Sequence, residues 1–181
     1  MRRTKAFLLL LFVVLLHRPA HGQSQQNSID ANENVVIGSL MELRNSRRVL
    51  LLIRRSAVID SRGLAKTVLS EVYRTDADTR PRYPRLFNLL AGKLNDYLKR
   101  YQSISAAKNI SDADFIIFFN LLEYRRPLGV PYPYGELFVI ANDTRGGKSP
   151  HIVWKTRKGA TWADEAIKDL IRDLKIVRGE G

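Results

Sequence analysis

The chain has 181 residues and carries 30 Lys and Arg against 18 Asp and Glu, a formal charge of +12. It contains no Cys, so disulfides, thiol nucleophiles and Cys-bound metals are excluded. With three His, two of them in the first 22 residues, the remainder of the chain offers His151 alone, too few for a multi-His zinc site.

The amino terminus has the composition of a secretory signal peptide. Arg2, Arg3 and Lys5 make a basic n-region, residues 6–16 are an unbroken apolar run, and Ala20-His21-Gly22 puts small residues where a signal peptidase reads. Cleavage is expected between Gly22 and Gln23, giving a periplasmic or extracellular protein. The apolar run is shorter than the roughly 20 residues a spanning helix needs, and no later stretch reads as a span. With no Cys at the cut, lipidation there is not expected. Loss of Arg2, Arg3, Lys5 and Arg18 lowers the formal charge from +12 to about +8.

The remaining basic residues are dispersed. Arg pairs or near-pairs occur at Arg47-Arg48, Arg54-Arg55, Arg80/Arg82 and Arg125-Arg126, without the run that marks a nucleic-acid tail, so no nucleic-acid partner is expected. Dispersed charge serves solubility; it also permits loose attraction to anionic envelope polymer or lipid.

Residues 23–34 are polar and aperiodic and read as a disordered leader. A single domain is expected over residues 35–181. Val36, Leu40 and Leu43 have helical spacing, which suggests a short helix over residues 35–45 despite Gly38. Val49 to Ile53 is a continuous apolar run of strand length. Asp60 or Ser61 is placed to cap a helix whose buried face is Leu64, Ala65, Val68, Leu69 and Val72. Residues 75–84 break the pattern, and Pro84 suits the first turn of a second helix. Leu86, Leu90, Leu94, Tyr97 and Tyr101 form its stripe, with Phe87 and Leu98 beside them.

A short strand within residues 103–106 precedes a turn at residues 108–112. Residues 113–124 follow, apolar on both faces and therefore central in a sheet. Residues 136–141 have the same character. Residues 151–156 alternate, with Ile152 and Trp154 on one face and Lys155 on the other, as expected nearer an edge. Trp154 and Trp162 bracket a basic turn and are expected in the core. A last helix spans residues 161–177, with Thr161 and Asp164 in capping-box positions and a buried stripe of Ala163, Ala166, Ile167, Leu170, Ile171, Leu174 and Val177. Asp169 and Arg172 can pair on its exposed side. Consecutive strands imply hairpins and the first strand needs helical crossovers. The expected fold is α+β: a mixed, mainly antiparallel sheet of four to five strands packed with about three helices.

The helix LFNLLAGKLNDYLKRY, the short SIS and the strand entry ADFIIFF occur in an order that resembles small bacterial envelope domains, among them the amino-terminal domain of the Tol system's periplasmic β-propeller protein. The resemblance spans roughly residues 49–177. It implies a non-catalytic module of an envelope assembly, and it transfers no functional residue.

Of the local motifs, Gly146-Gly147-Lys148-Ser149 lacks the first glycine of a phosphate loop and precedes a strand, so it reads as a turn. Asn109-Ile110-Ser111 and Asn142-Asp143-Thr144 are glycosylation sequons, relevant only in a eukaryote. Glu123 and Glu136 flank an Arg, Pro and Tyr segment. If they share a cleft they have the machinery of glycoside hydrolysis; Glu beside Arg at a strand end is otherwise a surface ion pair. His151 has no identifiable catalytic partner. No cofactor or metal is expected, and no residue pattern specifies an oligomeric state.

Residues 124–135 form the best surface candidate. Three prolines stiffen this loop, and Arg125, Arg126, Tyr132 and Tyr134 are residue types that grip partners. The alternative is an internally packed loop, with Arg stacked on Tyr. The expected function is a non-enzymatic exported binding module for an envelope protein or an anionic envelope polymer. The alternatives are a carboxylate-dependent hydrolase of an envelope polymer and a non-specific binder of anionic polymer or lipid.

Overall fold

The computed structural model describes residues 38–55, 64–74, 83–101, 104–142, 148–157 and 159–180, all within the compact unit Asn34–Gly181. The signal peptide and leader readings, the Asp60/Ser61 cap and the Gly146-Gly147 turn lie outside them.

Among the described residues the fold is α+β, as the patterning implies. Six strands form one mixed sheet in the order β2-β1-β3-β4-β5, with β6 paired to β4. They are β1 (Arg48–Arg54), β2 (Ser105–Ala106), β3 (Phe115–Arg125), β4 (Tyr132–Ala141), β5 (His151–Lys155) and β6 (Thr161–Trp162). β1 lies parallel to β2 and β3, and β3, β4, β5 and β6 pair antiparallel. Helices α1 (Leu64–Val72), α2 (Pro84–Tyr101) and α3 (Ala163–Arg178) cover the two faces.

The central strand separates two cores, as its double apolar character requires. Phe115, Ile117, Phe119 and Leu121 point to α2 and α3, where they meet Leu86, Leu90, Leu94, Ala166, Ile167 and Leu170. Ile116 and Phe118 point the other way, to Val68 and Val72 of α1. Each fully buried side chain of this size contributes about 2 kcal/mol, so these two layers fix the fold. α1 has only nine residues and covers the Ile116 and Phe118 end of its face.

Two local readings change. A bulge between Val139 and Ile140 makes Val153 an extra residue on β5. Ile152 therefore joins the α1 layer and Trp154 the α2/α3 layer, on opposite faces rather than one. The last helix is capped at Trp162 without a side-chain hydrogen bond, and Thr161 donates its hydroxyl to Glu165 at 3.0 Å instead of forming a capping box. Its far end behaves as expected: Gly179 takes φ 68°, and the Glu180 N–H reaches the Lys175 carbonyl at 2.9 Å. The Asp169–Arg172 pair forms, at 3.0 Å.

The helix expected over residues 35–45 is, within its described part, one 3₁₀ turn, Leu40–Leu43. Ser39 and Glu42 form a reciprocal capping box there. Arg178 ties this turn to α3. Its side chain is 7% exposed and 3.0 Å from Glu180, and it donates to the Leu43 and Ser46 carbonyls at 3.0 Å each.

Candidate functional site

The two ends of β3 differ in how their polar groups are used. At its start, Asp114 accepts from the Arg47 and Arg48 backbone N–H groups at 2.9 and 3.0 Å and from Arg48 Nη2 at 3.0 Å. Beside it is a pocket of about 240 Å³ lined by Glu42, Ser46, Asp114, Lys148, Ser149 and His151. His151 Nε2 is 3.1 Å from Glu42 Oε2, its Nδ1 is 2.9 Å from the Ser149 carbonyl, and Lys148 Nζ is 3.5 Å from Glu42. The Glu42 carboxyl is held below its ordinary value, chiefly because it accepts the Ser39 N–H. Every charge here has a partner, which makes this end a joint between segments.

The asparagines of the two sequons each have a structural role. Asn109 Oδ1 accepts from the Asp112 N–H at 2.9 Å and closes the turn before β3. Asn142 is buried, and its Nδ2 donates to the Ile110 and Ala113 carbonyls at 2.7 and 2.8 Å, so the atom a glycan would need is enclosed.

At the other end β3 and β4 run on beyond the sheet as a two-stranded ribbon. β1 pairs no further than Asn120, β5 ends opposite Phe138, and β6 supports Tyr134 and Gly135. The segment read as a twelve-residue stiff loop is mostly ladder: Glu123, Tyr124 and Arg125 face Tyr134, Pro133 and Tyr132 in register. Arg125, Tyr132 and Tyr134 are strand residues, and only Arg126 of the four candidates lies in the connection. Prolines at 131 and 133 argue against a strand; they fit here because β6 reaches only to Tyr134, so Pro133 interrupts no pairing on its outer side. A bulge between Leu121 and Glu123 starts the ribbon. Gly135 faces it so closely that a Cβ would overlap the Asn120 carbonyl oxygen.

The four candidate residues divide into two pairs. Arg125 is engaged: its Nε lies 2.5 Å from Glu123 Oε1, and its guanidinium sits 3.4 Å over the Tyr134 ring. Tyr134 stands edge-on to Trp162 at 5.4 Å and Tyr132 does so at 6.3 Å, so Trp162 braces the ribbon while Trp154 is the core indole. The internally packed reading therefore describes Arg125 and Tyr134. Tyr132 is about half exposed, and the Arg126 side chain has no ion-pair or hydrogen-bond partner among the described residues, its carbonyl alone accepting the Gly129 N–H at 3.3 Å.

The residue that sequence reasoning missed is Leu128. It sits at the apex in the 3₁₀ turn Pro127–Gly129 with φ 54°, and its side chain is 102% exposed. A left-handed backbone costs a non-glycine residue about 1 kcal/mol or more, and solvent gives a leucine nothing in return. Val130, Tyr132 and Tyr124 are each about half exposed behind it. Tyr124 faces the side of α2 and lies within electrostatic reach of Tyr83 and Arg55; partial burial raises its pKa.

The two carboxylates do share a face. Glu136 opposes Asn120 and Glu123 opposes Tyr134, which makes them diagonal neighbours with Cβ atoms roughly 7 Å apart. Burial raises the Glu136 pKa, against the opposing pull of the Asn120 hydrogen bond and the Lys155 charge. Glu123 is held by Arg125 at 2.5 Å, and both side chains are about half exposed, the surface ion pair that Glu beside Arg suggests. Among the described residues no group of His, Asp and Glu could hold a metal ion, and no helix is long and apolar enough to cross a membrane.

No protein-family model matches the chain, and no curated protein matches it. Among solved structures it is similar to the PelC dodecamer from Paraburkholderia phytofirmans, at 14% identity and TM-score 0.36 over 75% of this chain and 88% of that one. A leucine-to-methionine variant of the same dodecamer gives 15% identity and TM-score 0.34, over 75% and 87%. At these values the likeness carries no functional inference.

Proposed function

We propose that the chain is an exported, envelope-associated binding module that makes contact through the tip of the β3–β4 ribbon. One observation carries this reading: Leu128 is wholly exposed in a left-handed backbone conformation, at the end of a ribbon whose base is braced by Arg125, Tyr134 and Trp162. A turn meant only to join two strands would place Asn, Asp or Gly there. The signal-peptide composition of residues 1–22 and the resemblance to small envelope domains point to the same compartment and role.

Changing Arg125, Arg126, Tyr132 and Tyr134 together to Ala tests the contact. The variant is expected to lose the envelope components that the parent chain retains in pull-downs, with circular dichroism checking that the sheet is kept. An unchanged set of retained components from a folded variant contradicts the assignment.

The hydrolase reading draws support from the shared face of Glu123 and Glu136. It requires Glu136→Gln to abolish release of product from an envelope polymer such as peptidoglycan. The contact reading predicts no such activity in either form.

A further inference from the structure

We infer that the partner of the ribbon tip is an anionic lipid surface, into which Leu128 and Val130 insert as a wedge. This rests on the contact role proposed above and names the chemical class that meets it.

The tip is graded along its length as a membrane interface is. Leu128 and Val130 are the outermost apolar side chains, one wholly and one half exposed. Tyr124 and Tyr132, half exposed, form a collar one step behind, at the depth where amphipathic rings collect between hydrocarbon and water. Arg126 is beside the apex, exposed, while Arg125 is spent on Glu123 and the Tyr134 ring. Arg54 and Arg55 end β1 at the same end of the sheet, with Arg55 close enough to Tyr124 to affect its ionisation. The two carboxylates of the ribbon itself are compensated: Glu123 pairs with Arg125, and Glu136 is partly buried within reach of the Lys155 charge. The exposed charge around the apolar apex is therefore positive, the complement of anionic headgroups.

Shape favours lipid over a protein. A specific protein interface needs about 800 Å² on each partner, and a two-residue apex at the end of a narrow ribbon offers no such flat area. Lipid has no fixed shape to match and accepts a small apolar wedge. Pro127 and Pro131 flank that wedge and stiffen the turn that carries it.

The absence of Cys allows a single introduced thiol to report on one place. An environment-sensitive dye on Val130→Cys is compared with the same dye on Lys108→Cys, in the turn before β3 at the opposite end. With phosphatidylglycerol vesicles, the tip dye is expected to shift to the spectrum of an apolar medium and the Lys108 dye is not. Neutral phosphatidylcholine vesicles should bind about tenfold more weakly, the effect of losing roughly one to two headgroup–Arg attractions. Adding Leu128→Glu should abolish the tip shift. The inference is overturned by an unchanged tip dye, or by a shift that survives Leu128→Glu. It is equally overturned if the tip dye responds to an envelope protein fraction but not to vesicles. That last outcome leaves the binding-module reading standing with a protein partner.

Discussion

The start of β3 and its far end are built from the same kinds of residue and put to opposite uses. At the start, Asp114, Glu42, His151, Lys148 and Arg48 are satisfied by one another and by backbone groups. At the far end, the Arg126 side chain has no partner among the described residues and Leu128 is left wholly exposed. Water satisfies an exposed cation, but it does not repay a leucine held in a left-handed turn, and that difference is what supports the proposed contact at the tip.

The largest expected effect sharpens the structural half of this contrast. Arg178→Ala leaves Glu180 and the Leu43 and Ser46 carbonyls without their cation; a loss of about 3 kcal/mol is expected in denaturant unfolding. Gly135→Ala forces a Cβ against the Asn120 carbonyl and should cost about 2 kcal/mol. Its ribbon should also lose protection in amide exchange. If either variant unfolds at the parent's midpoint, the contacts at that place do not hold the fold.

Glu136 offers a smaller effect of the opposite sign. Its folded pKa is raised by burial, so the native state holds the proton more tightly than the unfolded chain does. Stability contributed by this group is present below its ordinary value of 4.5 and is lost as pH rises through the raised value. Glu136→Gln is therefore expected to raise Tm at pH 7, by about 2 °C, and to flatten the pH dependence above 4.5. A lower Tm for Glu136→Gln contradicts the burial argument.

The smallest stability change separates the two ends most clearly. Leu128→Asn relieves the left-handed strain and should leave the fold unchanged or more stable by up to about 1 kcal/mol. Yet it should weaken retention of the envelope partner. Stability and binding moving together at this position would contradict the assignment.

Much of this fold was legible because its signal is periodic. The double-faced strand over 115–121, the Leu86/Leu90/Leu94 stripe and the Ala166/Leu170/Leu174 stripe each follow from one repeat. What was not legible depends on register and pairing. The bulge that separates Ile152 from Trp154 has no local sequence mark. Residues 124–135 of the ribbon were read as loop because Pro131 and Pro133 are strong turn signals, and only knowledge of where β5 and β6 end shows why they are tolerated. Asp173 is invisible to a stripe argument, being a charged residue at a buried position. It accepts from Trp154 Nε1 at 3.0 Å and Arg157 at 3.2 Å. Composition placed the four site candidates on one segment, the one proposed above as the contact. It did not separate Arg125 and Tyr134, which brace it, from the exposed Arg126 and the half-exposed Tyr132 at the Trp162 edge. Leu128 escaped because its significance lies in a backbone angle.

The central claim, that the ribbon tip meets a partner and the opposite end does not, is tested most directly by photocrosslinking in intact cells. A crosslinking side chain is placed at Val130 in one strain and at Lys108 in another. Specific adducts, with protein or with lipid, are expected from position 130 and not from position 108. Adducts from position 108 with none from position 130 would contradict it.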